Sequence, residues 1–98
     1  MEWHSSPDPL SFTGRALPAF CELKIVRIEP GCEHAYVEDD WCDAIVVVEE
    51  GQIDIECVEG GCRHFPRGAI LFLTDLPLRA LVNRGSEAAV LTAVARRR

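Results

Sequence analysis

Apolar and polar positions alternate along most of this chain with a period near two, and that pattern predicts short β-strands. The most legible stretch is 43–55. Ile45, Val46, Val47 and Val48 form an unbroken β-branched run, which expects cover on both faces. Beyond it, Ile53, Ile55 and Cys57 fall on one face and Gln52, Asp54 and Glu56 on the other, so this is a half-buried strand with a wet side. Gly51 supplies a positive φ, and the two runs read as a tight hairpin closed at Glu49–Gln52.

The remaining segments repeat the theme. Cys21–Ile28 reads as a strand ended by the turn Glu29-Pro30-Gly31, and Cys32–Val37 as a further extended segment before the acidic loop Glu38-Asp39-Asp40. Glu59-Gly60-Gly61 and Pro66-Arg67-Gly68 are turns that bracket a short strand, Cys62–Phe65. Ala69–Leu73, Leu78–Val82 and Ala88–Ala95 complete the set, the last preferred as strand over helix because of Val90, Leu91, Thr92 and Val94. About eight short strands with turn signals roughly every ten residues predict an all-β sandwich or barrel. Residues 1–19, with Pro7, Pro9, Pro18 and Gly14, read as an extended N-terminal arm; 20–95 is the β-barrel domain and 96–98 a basic tail.

Composition narrows the function classes. The 98 residues make one domain with one modest core, and 48% are apolar. The formal charge of −6 opposes phosphate backbones, so nucleic acid is not an expected partner. Met1–Leu10 lacks the apolar core of a secretory signal, and no apolar run has the length of a membrane span. A cytoplasmic protein with five reduced cysteines, and no membrane partner, is the expectation.

Read in order, Pro30-Gly31, the β-run ending Val48-Glu49-Glu50-Gly51, Pro66-Arg67-Gly68, and Asn83-Arg84-Gly85 before a last apolar strand resemble the motifs of a small single-domain cupin over residues 20–95. The resemblance implies a cupin-like jelly-roll barrel, and small cupins often pair as homodimers, here through the N-terminal arm or a sheet edge. The family's metal ligands do not carry over. Counting forward from Gly31 places the two histidine positions on Val37 and Asp39, and counting back from Gly51 places the glutamate on Ala44. A slipped alignment offers His34 and Tyr36, with Asp43 near the glutamate. The second motif's histidine falls on Leu71 and its asparagine on Asp75. No cofactor is therefore expected. A divalent metal, if held, would draw on His34, Asp43 and His64.

Two clusters carry candidate chemistry. His34, Tyr36, Glu38, Asp40, Trp41 and Asp43 form the densest polar–aromatic group. At a barrel mouth they would line a small-molecule pocket, with His34, Tyr36, Asp40, Trp41, Asp43 and Leu71 as its residues and His34 as acid or base. The bland alternative is a solvated acidic loop anchored by Trp41. Cys32-x-His34 and Cys62-x-His64 are i, i+2 pairs that share a strand face, and together they would make a Cys2His2 zinc set. Cys62 also has the one basic neighbourhood among the five thiols. Arg79 and Arg84 read as solvated. The leading functional expectation is a small-molecule-binding barrel without the usual metal centre. The alternatives are a metal-dependent isomerase or dioxygenase with atypical ligands, and a regulatory domain acting through dimerisation.

Overall fold

The structure is a computed structural model that describes residues 2–4 and 17–96. Most of the expected N-terminal arm lies outside the described residues. Those residues form nine strands and one helical turn: β1 Glu2–His4, β2 Cys21–Ile28, β3 Glu33–Ala35, α1 Glu38–Trp41, β4 Ile45–Glu50, β5 Gln52–Cys57, β6 Cys62–Pro66, β7 Ile70–Phe72, β8 Leu78–Val82 and β9 Ala89–Arg96. They pair antiparallel throughout, in one sheet of order β1-β7-β4-β9-β2 and another of order β3-β8-β5-β6. Strands β2 to β9 pass between the two sheets in a jelly-roll order, so the all-β class expected from the turn spacing is what the chain adopts.

The stretch 43–55 corrects the reading of a hairpin. β4 pairs with β7 and β9, whereas β5 pairs with β6 and β8. Gly51 therefore turns the chain from one sheet to the other. Its φ is +70°, and a Cβ there would stand 2.5 Å from the Ala88 carbonyl oxygen, so both the conformation and the close approach demand glycine. Two smaller corrections follow from the same packing. The acidic loop Glu38-Asp39-Asp40 forms a single helical turn ending in the buried Trp41, and the segment expected over Cys32–Val37 shortens to β3.

The space between the sheets is filled. Val26, Ile28, Trp41, Ala44, Val46, Val48, Ile53, Ile55, Phe65, Leu71, Leu73, Leu81 and Leu91 form one core. Ala44 and Leu71, at two of the positions where cupin metal ligands would stand, are core residues. Asn83, in the Asn83-Arg84-Gly85 motif before the last strand, is fully buried: its Nδ2 donates to the Ile28 carbonyl at 2.9 Å and the Glu87 carbonyl at 2.8 Å, and its Oδ1 accepts from the Gly85 N–H at 2.9 Å.

Candidate functional site

One end of the barrel carries an open cleft of about 410 Å³, walled by β2, β9, α1 and the link from α1 to β4. Its origin lies in the inward-facing row of β2. Deep in the barrel that row is Ile28 and Val26, both buried; toward the mouth it becomes Lys24 and Glu22. The register sets Lys24 opposite Ala93 and Glu22 opposite Ala95 on β9. Together with Ala44, these small side chains leave the volume that larger ones fill deeper down. Asp39, Asp40, Cys42 and Arg96 complete the walls, so charges of both signs face one small space.

The closing loop is held by polar contacts. The Tyr36 hydroxyl reaches the Glu38 carboxylate and the Leu73 carbonyl, the latter at 2.8 Å. Glu38 also accepts from the Asp75 N–H at 2.9 Å, and the Asp43 N–H donates to Thr74 Oγ1 at 2.9 Å. Burial, and then the Glu38 carboxylate, raise the Tyr36 hydroxyl well above the ordinary phenol range, so it remains a donor. Its hydrogen bond and that of the Asp75 N–H hold Glu38 below the usual carboxylate range. Asp43 and Asp75 both have left-handed backbones, with φ of 57° and 59°. Beneath this loop Trp41 is fully buried, with its Nε1 unpartnered. Lys24 sits 5.8 Å from the centre of the Trp41 ring and 2.8 Å from Asp40, and His34 meets that ring edge-on at 6.3 Å.

The expected pocket residues therefore divide. Asp40 lines the cleft, and Trp41 supports it from below through Lys24. His34 is half-buried against Trp41, Tyr36 pins the loop, Asp43 is an exposed backbone corner, and Leu71 is core. Glu22, Lys24 and Arg96 escaped the sequence reading, although the inward phase of β2, apolar at 26 and 28 and charged at 22 and 24, was a usable signal.

The metal set does not assemble. His34 lies beside Trp41, Asp43 is exposed on the loop, and His64 lies on the outer face of the other sheet. Among the described residues no three His, Cys, Asp or Glu side chains stand close enough to share an ion, so neither this set nor the Cys32/His34 and Cys62/His64 pairs fit one.

A second polar constellation occupies that outer face. Asp54 and Glu56 on β5 stand beside His64 and Cys62 on β6. Arg84 bonds Asp54 at 2.9 Å and also reaches Glu56; Arg79 bonds Glu56 at 2.9 Å and Glu33 at 2.8 Å; His64 Nδ1 lies 2.6 Å from Asp54. The arginines expected to be merely solvated thus bind the two acids together. Burial raises the Asp54 carboxyl, but His64 and Arg84 outweigh it and hold the group below its ordinary range; Arg79 and Arg84 do the same for Glu56.

No protein-family model and no curated protein matches this sequence. Among solved structures, the chain is similar to the protein NMB1881 from Neisseria meningitidis, known from its crystal structure, with a TM-score of 0.57 and 12% identity over 83% of this chain and 78% of that one. At that identity the likeness concerns the fold.

Proposed function

We propose that this barrel is a small-molecule-binding module whose site is the charged cleft at its mouth, without a metal centre. The observation that carries the reading is the β2 row that changes from Ile28 and Val26 to Lys24 and Glu22 opposite Ala93 and Ala95. Charged side chains on the inward phase of a barrel strand, set against alanines, make a polar recess where packing would otherwise favour apolar bulk. The chemistry suits a small zwitterion. The acids Glu22, Asp39 and Asp40 accept from an ammonium, and Lys24 and Arg96 donate to a carboxylate or phosphate. A volume of about 410 Å³ takes a molecule of amino-acid to nucleoside size. Thermal-shift screening of small zwitterions against the full chain tests the reading. A ligand that raises the midpoint in a concentration-dependent way supports it; a set covering amino acids, amino sugars and phosphoamines with no such effect at millimolar concentration contradicts it.

A second reading rests on the outer face of the five-stranded sheet, β1-β7-β4-β9-β2. On that face Ile25, Ile45 and Phe72 are 59%, 46% and 40% exposed, around a centre where Val47 and Thr92 are fully buried. Exposed apolar side chains spread over one sheet face suit a second copy of the same face, since a twofold contact needs only one self-complementary surface. On this reading the chain is a homodimer through a sheet face. Light scattering after gel filtration should then give twice the chain mass for the native protein and the monomer mass for Ile25→Asp; a native monomer rules the pairing out.

A further inference from the structure

One row of the five-stranded sheet runs from edge to edge through His4, Ile70, Val47, Thr92 and Ile25. Val47 and Thr92 sit at its middle and point away from the core, since their chain neighbours Val46, Val48, Leu91 and Ala93 face it. Both are nevertheless fully buried, while Ile25 at the edge of the same row is well exposed. Side chains in the middle of an uncovered sheet face stay in contact with water, so a further layer lies over Val47 and Thr92. The second sheet is not that layer, because it packs on the opposite side, against Val46, Val48 and Leu91.

The route of the chain points to what supplies it. β1 and β2 are the two edges of the sheet, and because every pairing between them is antiparallel, β1, β4 and β2 run in the same direction. Parallel strands of one sheet need a crossover of about a dozen residues or more. Residues 5–20 lie between His4 and Cys21 and are long enough for one. His4 stands level with Ile25, beyond the point where β2 begins at Cys21, so the chain leaves β1 heading away from the start of β2 and has to return. The return is about 19 Å across the strands and about 13 Å along them, against a reach of roughly 50 Å for that length of chain. The inner side of the sheet is filled by the core, which leaves the outer face as the way across.

We infer that the outer face of the five-stranded sheet is a docking surface for residues 5–16 of the same chain, which lie across Val47 and Thr92. Leu10 and Phe12 are the large apolar side chains of that segment and supply the contact; Asp8 and Arg15 are its only charges, so little charge is taken out of water. The surface is separate from the mouth cleft. Ile25, Ile45 and Phe72 lie outside the covered centre and remain as the margin that a second copy would meet, so the pairing of two chains is tested separately.

Nuclear Overhauser spectra of the methyl-labelled full chain read the contact directly. Cross-peaks should join the methyl groups of Val47 and Thr92 to the Leu10 methyls or the Phe12 ring, as for side chains packed against each other. An isotope-filtered mixture of labelled and unlabelled chains should show none of them. Cross-peaks that survive the filter put the segment of a second copy on the face and overturn the assignment to the same chain. The absence of any cross-peak from Val47 or Thr92 to residues 5–16 overturns the proposal without recourse to a variant. Leu10→Ser combined with Phe12→Ser should raise the fluorescence of anilinonaphthalene sulfonate at least about threefold with the far-UV spectrum unchanged. Unchanged dye binding in the folded double variant overturns the part given to those two side chains.

Discussion

Asn83 shows how much one residue can carry in a barrel of this size. Its side chain ties the end of β2, through the Ile28 carbonyl, to the 85–87 turn, and its backbone exchanges hydrogen bonds with Gly31 and Cys32. Asn83→Ala leaves two buried carbonyls and an N–H without that partner, and each such loss costs about 1–3 kcal/mol. Urea unfolding should therefore show a loss of at least about 3 kcal/mol for Asn83→Ala, against less than about 0.5 kcal/mol for the exposed Ser86→Ala. A loss under 1 kcal/mol at Asn83 would place its hydrogen bonds with water instead. In the sequence Asn83-Arg84-Gly85 is indistinguishable from a solvated turn, because its partners lie 55 residues away and four residues ahead. Gly51, by contrast, was legible as a positive-φ glycine from its place between two strands, and the structure adds the close approach of Ala88.

At the level of elements, the strands were readable and their partners were not. β2, β8 and β9 fall within a residue of where turn residues and β-forming side chains place them, and of the three only β2 alternates in burial along its inner half. The 43–55 stretch was misread as a hairpin because a short link through Gly51 has the same local signature whether it folds a strand back or hands it to another sheet. The outer-face constellation has the same origin: Glu33, Asp54, Glu56, Arg79 and Arg84 come from three strands and a turn, and only the wet phase of β5 hinted at it. Its electrostatics make a prediction for pH. Asp54 and Glu56 have carboxyls held below their ordinary values of 3.8 and 4.5, so their contribution to stability is complete above those values and is lost as pH falls through the lower folded values. The thermal midpoint should be flat from about pH 7 to 5 and fall progressively below about pH 4. Arg84→Gln should flatten that fall, and an identical acid limb in wild type and variant would show that the network does not govern it.

Over the whole molecule, the interior between the two sheets is packed with side chains. Leu71, Ala44 and Trp41 occupy the interior, and the charged cleft is displaced to the rim. No helix among the described residues is long and apolar enough to cross a membrane. Of the residues expected to line a pocket, His34, Tyr36, Asp40, Trp41, Asp43 and Leu71, Asp40 alone lines the cleft walled by β2 and β9. Sequence order pointed to the loop at 34–43, while the recess is made by β2 and β9, which meet it only in three dimensions.

If the mouth cleft binds a small molecule, filling it should weaken that binding. Ala95→Leu adds bulk opposite Glu22 at the rim, where the side chain is half-buried and the core below is untouched. Isothermal titration of the best zwitterion from the screen should give a dissociation constant raised at least about tenfold in Ala95→Leu, equivalent to about 1.4 kcal/mol, with the unfolding midpoint of the free protein little changed. Unaltered affinity in a folded Ala95→Leu protein would place the ligand elsewhere and contradict the account.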